Sequence, residues 1–144
     1  MADYWEQWEK HGVDWKAIFE ALDPMLAAFA KRHKMAILPW RWEEPSRTLI
    51  WTSSGLKRSI RVVINGEPGG YVLDISGAIW RDDTIGESRT RSASSLELGQ
   101  VTISKPEEMA DQKTMSEFAV YFRKAYETVS VWTDLSHQIE LSSL

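Results

Sequence analysis

Apolar residues recur along this chain in two different periods, and the change of period predicts where helices give way to strands. Between residues 15 and 29 they recur every three or four positions, which is typical of a helix with one buried stripe. The stripe consists of Trp15, Ile18, Phe19, Leu22, Leu26 and Phe29. Pro24 interrupts it and either kinks one helix or starts a second helix capped by Asp23. The unbroken stripe favours one kinked helix or a closely jointed pair.

A short helix is predicted before this one, over residues 4–10. Asp3 and Glu6 form a variant of the capping box, and Gly12 suits a C-terminal stop. The rings of this segment, Tyr4, Trp5 and Trp8, share a broad face. Because its polar residues are mainly acidic, we expect this face to pack on the domain or on a partner subunit rather than on an anionic membrane.

Alternation of apolar and polar residues replaces the helical period after Lys34 and predicts an antiparallel sheet. The predicted strands are 35–38, 47–52, 58–65, 71–80 and 96–104, with a bulge or turn at Gly99. Their links, 52–57, 65–70 and 81–84, are short and rich in turn formers, so hairpins are expected. Residues 86–95 are polar, and they form either a wet edge strand paired with 71–80 or a flexible loop.

A second helical region is predicted near the C-terminus. A helical turn starts at 104–107, and Thr114 with Glu117 forms a second capping box. An apolar stripe follows, made of Met115, Phe118, Phe122, Ala125, Val129 and Trp132. This helix runs on to Ile139 unless the β-branched stretch 128–133 breaks it.

The order of these elements predicts a single α+β domain over residues 1–144. We expect an antiparallel β-meander of about five strands, with N-terminal helices and a long C-terminal helix packed on one face. A chain of 144 residues is long enough to bury one core without a metal or a disulfide. No internal repeat or linker divides it.

Composition narrows the classes of function. The net charge is −4, which disfavours nucleic acid as a partner. The chain has no cysteine, which excludes disulfides, thiol nucleophiles and cysteine-ligated metals. It also shows neither a secretory signal nor an apolar stretch of about 18 residues. We therefore expect a soluble, cytoplasmic protein without a membrane partner.

The polar residues form no catalytic or metal-binding motif, and we expect neither an enzyme nor a cofactor. The three histidines, at 11, 33 and 137, show no ligand spacing. Asp82 and Asp83 are adjacent at the end of a predicted strand, where aspartates favour a solvated turn. The glycine-rich run 66–70 leads into a strand rather than a helix and is interpreted as a hairpin loop.

Eight tryptophans in one small domain are its most unusual feature. Trp40, Arg41 and Trp42 alternate ring, charge and ring. With Trp51 and Trp80 they suit a protein-binding hot spot or an apolar ligand pocket. Alternatively these rings fill the space between the sheet and the helices, an interpretation that we favour for Trp51 and leave open for Trp40 and Trp42.

Three arginines form the best polar constellation. If Arg81, Arg89 and Arg91 converge on one sheet face, they are able to bind a carboxylate or a phosphate. An exposed strand or loop, or a site for a basophilic kinase at residues 89–92, is the alternative. The candidate binding residues are therefore Trp40, Arg41, Trp42, Trp80, Arg81, Arg89 and Arg91.

These observations favour a non-enzymatic protein-interaction or accessory protein. A homodimer, an inhibitor or immunity-type protein, and a chaperone-like factor all fit this class. The alternative is a small-molecule-binding domain with an aromatic pocket between a curved sheet and the C-terminal helix, whose ligand is apolar or anionic. An enzyme ranks third, because nothing in the sequence unites its histidines and carboxylates.

Overall fold

The computed structural model describes residues 15–38 and 45–143. Helix α1 spans Trp15–His33, a 3-10 helix spans Pro106–Ala110 and helix α2 spans Gln112–Val131. The strands are β1 (Ala36–Leu38), β2 (Ser46–Ser53), β3 (Leu56–Glu67), β4 (Gly70–Ile85), β5 (Ser88–Ile103) and β6 (His137–Ser143). The helix predicted at 4–10 and the candidate residues Trp40, Arg41 and Trp42 lie outside the described residues.

In the described part of the chain the strands form one sheet of six, in the order β1-β2-β3-β4-β5-β6. Each strand pairs antiparallel with its neighbour in the sequence. This meander, with its helices, confirms the α+β class. The sixth strand was not predicted, and it includes residues 137–139, which the longer of the two alternatives gave to the C-terminal helix. That helix stops at Val131, within the β-branched stretch 128–133 named as a possible break, and Trp132 is already extended, with φ −77° and ψ 134°.

The β4–β5 hairpin is longer than its sequence predicts. Its turn lies at Gly86, where φ is +63°, and not at 81–84, so the turn predicted for Asp82 and Asp83 is wrong. Residues 86–95 belong mainly to β5, which pairs with β4 on one side and β6 on the other. The cross-strand pairs in this part of the sheet are polar or charged. A search for alternating apolar residues therefore does not detect these strands. The predicted irregularity near Gly99 is confirmed, since the register shifts between Ile75 and Ser76, opposite Gly99 and Glu97.

Each helix decides a question that the sequence raised. Helix α1 is one helix that contains Pro24, which was one of the two alternatives, so Asp23 does not cap a second helix. Helix α2 starts at Gln112 after Asp111, whose side chain makes no capping hydrogen bond. The capping box predicted at Thr114 is therefore wrong by about one helical turn.

Both helices pack on the same face of the sheet. In α1, the Phe19 ring lies 4.0 Å from the Arg47 guanidinium carbon. In α2, the Tyr126 ring lies 5.4 Å from that of Trp51, and Arg47 and Trp51 share a face of β2 because their positions have the same parity. The core-facing strand residues include Leu49, Ile60, Val62, Leu73, Ile75, Ile79, Val101 and Ile103. The partly buried Trp51 packs against this core, as favoured above.

The opposite face of the sheet is covered by neither α1 nor α2, and we call it the open face. The strand register assigns to it, towards the Gly86 turn, Thr48, Ile50, Lys57, Ser59, Arg61, Ala78, Trp80, Asp82, Arg89, Arg91, Ala93, Ser95 and His137. Towards the other end it includes Asp74, Glu97 and the buried Val63 and Val72. Within the two described ranges, no helix combines the length and the apolarity needed to cross a membrane.

Candidate binding site on the open face

Trp80 lies in a row of side chains that crosses the open face. It is paired with Lys57 on β3 and with Ala93 on β5, and Ala93 is paired with His137 on β6. Directly opposed residues on one sheet face have Cβ atoms about 4.5–5.5 Å apart. The partly buried indole therefore has a cation on one side and a small residue on the other.

The next row along the strands holds an ion pair between Asp82 and Arg91. The Arg91 Nε donates to Asp82 Oδ1 at 2.6 Å, and Nη2 donates to Oδ2 at 3.0 Å. This bidentate geometry orients the guanidinium, whose carbon lies 5.8 Å from the Trp80 ring centroid. Because both side chains are more than 30% exposed (39% and 33%), the pair contributes about 1 kcal/mol or less to stability.

The charges around Asp82 are mostly positive. The hydrogen bond from Arg91 has the largest effect on the pKa of Asp82 and lowers it. Burial raises this pKa by less than the hydrogen bond lowers it, and the charges of Arg91, Lys57 and Arg89 lower it further. The strand register places these three cations on the same face as the Asp82 carboxylate, and these four described side chains together carry an excess of two positive charges. We call Lys57, Arg89, Arg91 and Asp82 the cationic cluster. It is positive on a chain whose net charge is −4.

A recess of about 380 Å³ lies beside this cluster. The space is left by small side chains from three strands, namely Ser59 on β3, Ala78 on β4, and Ala93 and Ser95 on β5. Larger ones border it, among them Ile50, Arg61, Trp80, Arg91 and His137. The recess thus combines an aromatic wall, a floor of small residues and cationic side chains on one face.

The structure brings together three of the four described candidate residues. Trp80, Arg89 and Arg91 lie on the open face. Arg81 does not, because its odd position points it to the other side of β4, where its Nε donates to Asp83 at 3.2 Å. The three arginines therefore do not all converge on one face, because only Arg89 and Arg91 share it.

Sequence reasoning missed Lys57 and His137 as members of this site, and it placed Asp82 in a turn. No local sequence pattern marks these three residues as part of the site. They come together only through the pairing register of the strands, which depends on residues far from the site. The space between the sheet and α2 is filled by Phe118, Phe122, Ala125 and Val129, all fully buried. The recess lies on the opposite side of the sheet.

The described residues hold no group of three or more His, Asp or Glu side chains placed to bind a metal ion. His33 lies between two rings, 4.4 Å from Phe29 and 4.5 Å from Tyr126 between centroids. It therefore packs in an aromatic cluster, on the helix side of the molecule.

No family model, curated protein or solved structure matches this chain. Function is therefore inferred from the open face alone.

Proposed function

We propose that this chain is a non-enzymatic binding protein that binds another protein through the open face, with Trp80 at the centre of contact. The observation that carries this proposal is the position of Trp80, partly exposed between Lys57 and Arg91 at the border of the 380 Å³ recess. Tryptophan and arginine are the residues most enriched in interface hot spots.

The recess supports the same proposal because it gives a partner side chain a place to insert. Hot-spot anchors fill well-packed pockets surrounded by contacts that exclude water. Here the pocket lies on a hydrogen-bonded sheet, so its walls are held by the strand ladders β2 to β6. A preorganised surface loses little conformational entropy on binding.

A small anionic molecule is the second candidate, and the lining of the recess favours it. Two arginines and a histidine (Arg61, Arg91 and His137) line the same cavity as Trp80. Its volume of about 380 Å³ falls at the lower end of the range of about 300–1,000 Å³ for ligand pockets.

The test is site-directed photo-cross-linking in cells that produce the protein. A photo-reactive residue at Ser95, on the open face, is expected to cross-link a partner, whereas one at Lys124 on α2 is not. The variant Trp80→Ala is expected to lower the yield at least tenfold, since hot-spot tryptophans contribute about 2 kcal/mol or more. Val131→Ala, which truncates an exposed apolar side chain on the helix side, is the matched control.

Two results contradict the protein-binding proposal. One is a cross-link that forms from Lys124 but not from Ser95. The other is a yield at Ser95 that Trp80→Ala leaves unchanged. A small mass that is retained in native mass spectrometry and lost from the Arg91→Gln variant instead favours the second candidate.

A further inference from the structure

We infer that the open face recognises an acidic peptide segment, one of whose carboxylates binds Arg91 in place of Asp82 while a neighbouring apolar side chain enters the recess. This inference rests on the proposed function and specifies the chemistry of the partner. Its basis is the juxtaposition of the cationic cluster with the recess on one sheet face.

Charge complementarity identifies the occupant. Among the described residues, Lys57, Arg89 and Arg91 lie on the same sheet face as the Asp82 carboxylate, which binds Arg91 directly. Two positive charges are thus left unbalanced within the cluster, while the chain as a whole is acidic, at −4. An anionic segment approaching this surface is attracted locally and repelled elsewhere, which orients it over Trp80.

Asp82 already shows how a carboxylate binds Arg91. Its two oxygens accept from Nε and Nη2 at 2.6 and 3.0 Å, the fork geometry in which arginine binds carboxylates. Both side chains are partly exposed, so solvent screens the pair and makes it exchangeable. A glutamate of a bound segment is able to take the same position, and Asp82 acts as an internal competitor for Arg91.

The other end of the open face limits the length of the anionic segment. There the Asp74 carboxylate accepts from Asn65 Nδ2 and from Gln100 Nε2, each at 2.6 Å. Glu97 occupies the same face. A long polyanion such as a nucleic acid strand would meet these carboxylates, whereas a short acidic segment followed by an apolar residue meets only the cluster and the recess.

The inference is tested by titrating the ¹⁵N-labelled protein with two acetylated octapeptides and following its NMR spectrum. The probe peptide repeats Glu-Glu-Leu-Glu, and the control peptide has glutamine at every glutamate. We expect saturable shifts at the Trp80 indole and the Ala93 and Ser95 amides with the glutamate peptide alone. Raising the salt from about 50 to 500 mM is expected to weaken this binding strongly, because the Debye length shortens severalfold.

Two isoelectronic variants separate Asp82 from its neighbour. Asp82→Asn removes the competitor and is expected to tighten binding of the glutamate peptide about two- to fivefold, the range of an exposed ion pair. Asp83→Asn makes the same charge change on the other face and is expected to tighten it less. Arg91→Gln is expected to weaken binding at least about tenfold, since it removes the fork.

Each contrary outcome has a distinct meaning. Equal shifts with both peptides overturn the acidic partner and leave the open face as a binding surface. No shift with either peptide overturns the inference, and the cross-linking at Ser95 then decides separately whether the face binds a protein. Equal shifts with free glutarate, or with a single-stranded oligonucleotide, overturn the peptide in favour of a small carboxylate or a nucleic acid.

Discussion

The guanidinium of Arg58 donates from Nη1 to the carbonyl of Val129 at 2.5 Å, in the last turn of α2. The same nitrogen donates to the carbonyl of Trp132 at 2.6 Å, and Nε donates to the carbonyl of Ser53 at 3.2 Å. The carbonyls at a helix C-terminus have no partners within the helix and carry a partial negative charge. Arg58 is only 1% exposed. Its side chain extends from the core side of β3 and caps the C-terminus of α2.

Replacing Arg58 by methionine is expected to destabilise the protein by about 2–4 kcal/mol. The substitution keeps an apolar stem but leaves buried carbonyls without donors, and hydrogen bonds to charged groups contribute about 1.5–3 kcal/mol each. Urea unfolding followed by circular dichroism measures the change. Arg123→Met, at an exposed site on α2, is the control and is expected to change stability by about 0.5 kcal/mol or less. Equal losses in both variants would refute the capping role of Arg58.

Gly77 allows α2 to lie close to the sheet. A Cβ at this position would lie 2.8 Å from Leu98 Cδ1 and closer still to Val129 Cγ2. Gly77→Ala is therefore expected to cost about 1–3 kcal/mol, as overpacking of a core does. Chemical denaturation of Gly77→Ala, Val129→Ala and the double variant measures this. We expect the double variant to lose less stability than the sum of the two single losses, because truncating Val129 removes the closer of the two clashes. Strict additivity would contradict the close approach of Val129.

Ser94 holds the connection between α2 and β6 against β5. Its hydroxyl donates to the Asp134 carbonyl at 2.5 Å, lies 2.9 Å from the Ser136 hydroxyl and accepts from the Ser136 amide at 2.7 Å. Ser94→Ala is expected to cost about 1–2 kcal/mol and to speed hydrogen exchange in residues 133–143 first. Ser95→Ala removes the neighbouring hydroxyl on the open face and should leave this exchange unchanged. Uniform acceleration across all strands would argue against a local anchor.

The carboxyl of Asp82 is expected to titrate below the ordinary aspartate pKa of about 3.9, because Arg91 donates to its ionised form and Lys57 and Arg89 add positive charge. Since the folded pKa is the lower one, the stabilisation is complete above the unfolded pKa and is lost as the pH falls through the folded pKa. A ¹³C-detected NMR titration from pH 2 to 6 measures this pKa. Arg91→Gln is expected to raise it towards the ordinary value, and an unchanged pKa would refute the bidentate pair.

The fold class was predictable because it depends on local periodicity. The stripe that includes Ile18 and Leu22 and the alternation through Ile60, Val62 and Ile64 each reflect one buried face, and the structure buries all five residues. The hairpin of 81–84 and the missed strand β6 show the limit. In these segments the strands are paired through polar residues such as Asp82 and Arg91. Polar residues are also typical of loops, so the sequence does not show that these residues form cross-strand pairs.

The candidate site divides in the same way. The sequence alone identified Trp80, Arg89 and Arg91 as residue types suited to binding, but it left residues 86–95 as either a strand or a loop. Only the tertiary structure decided that Lys57 lies beside Trp80, since their pairing is set by the β3–β4 register. The sequence determined which residues face each side of a strand, because that is a local property of the backbone. Which of them meet was decided by register and by the helices that cover the other face, and both arise from contacts between distant residues.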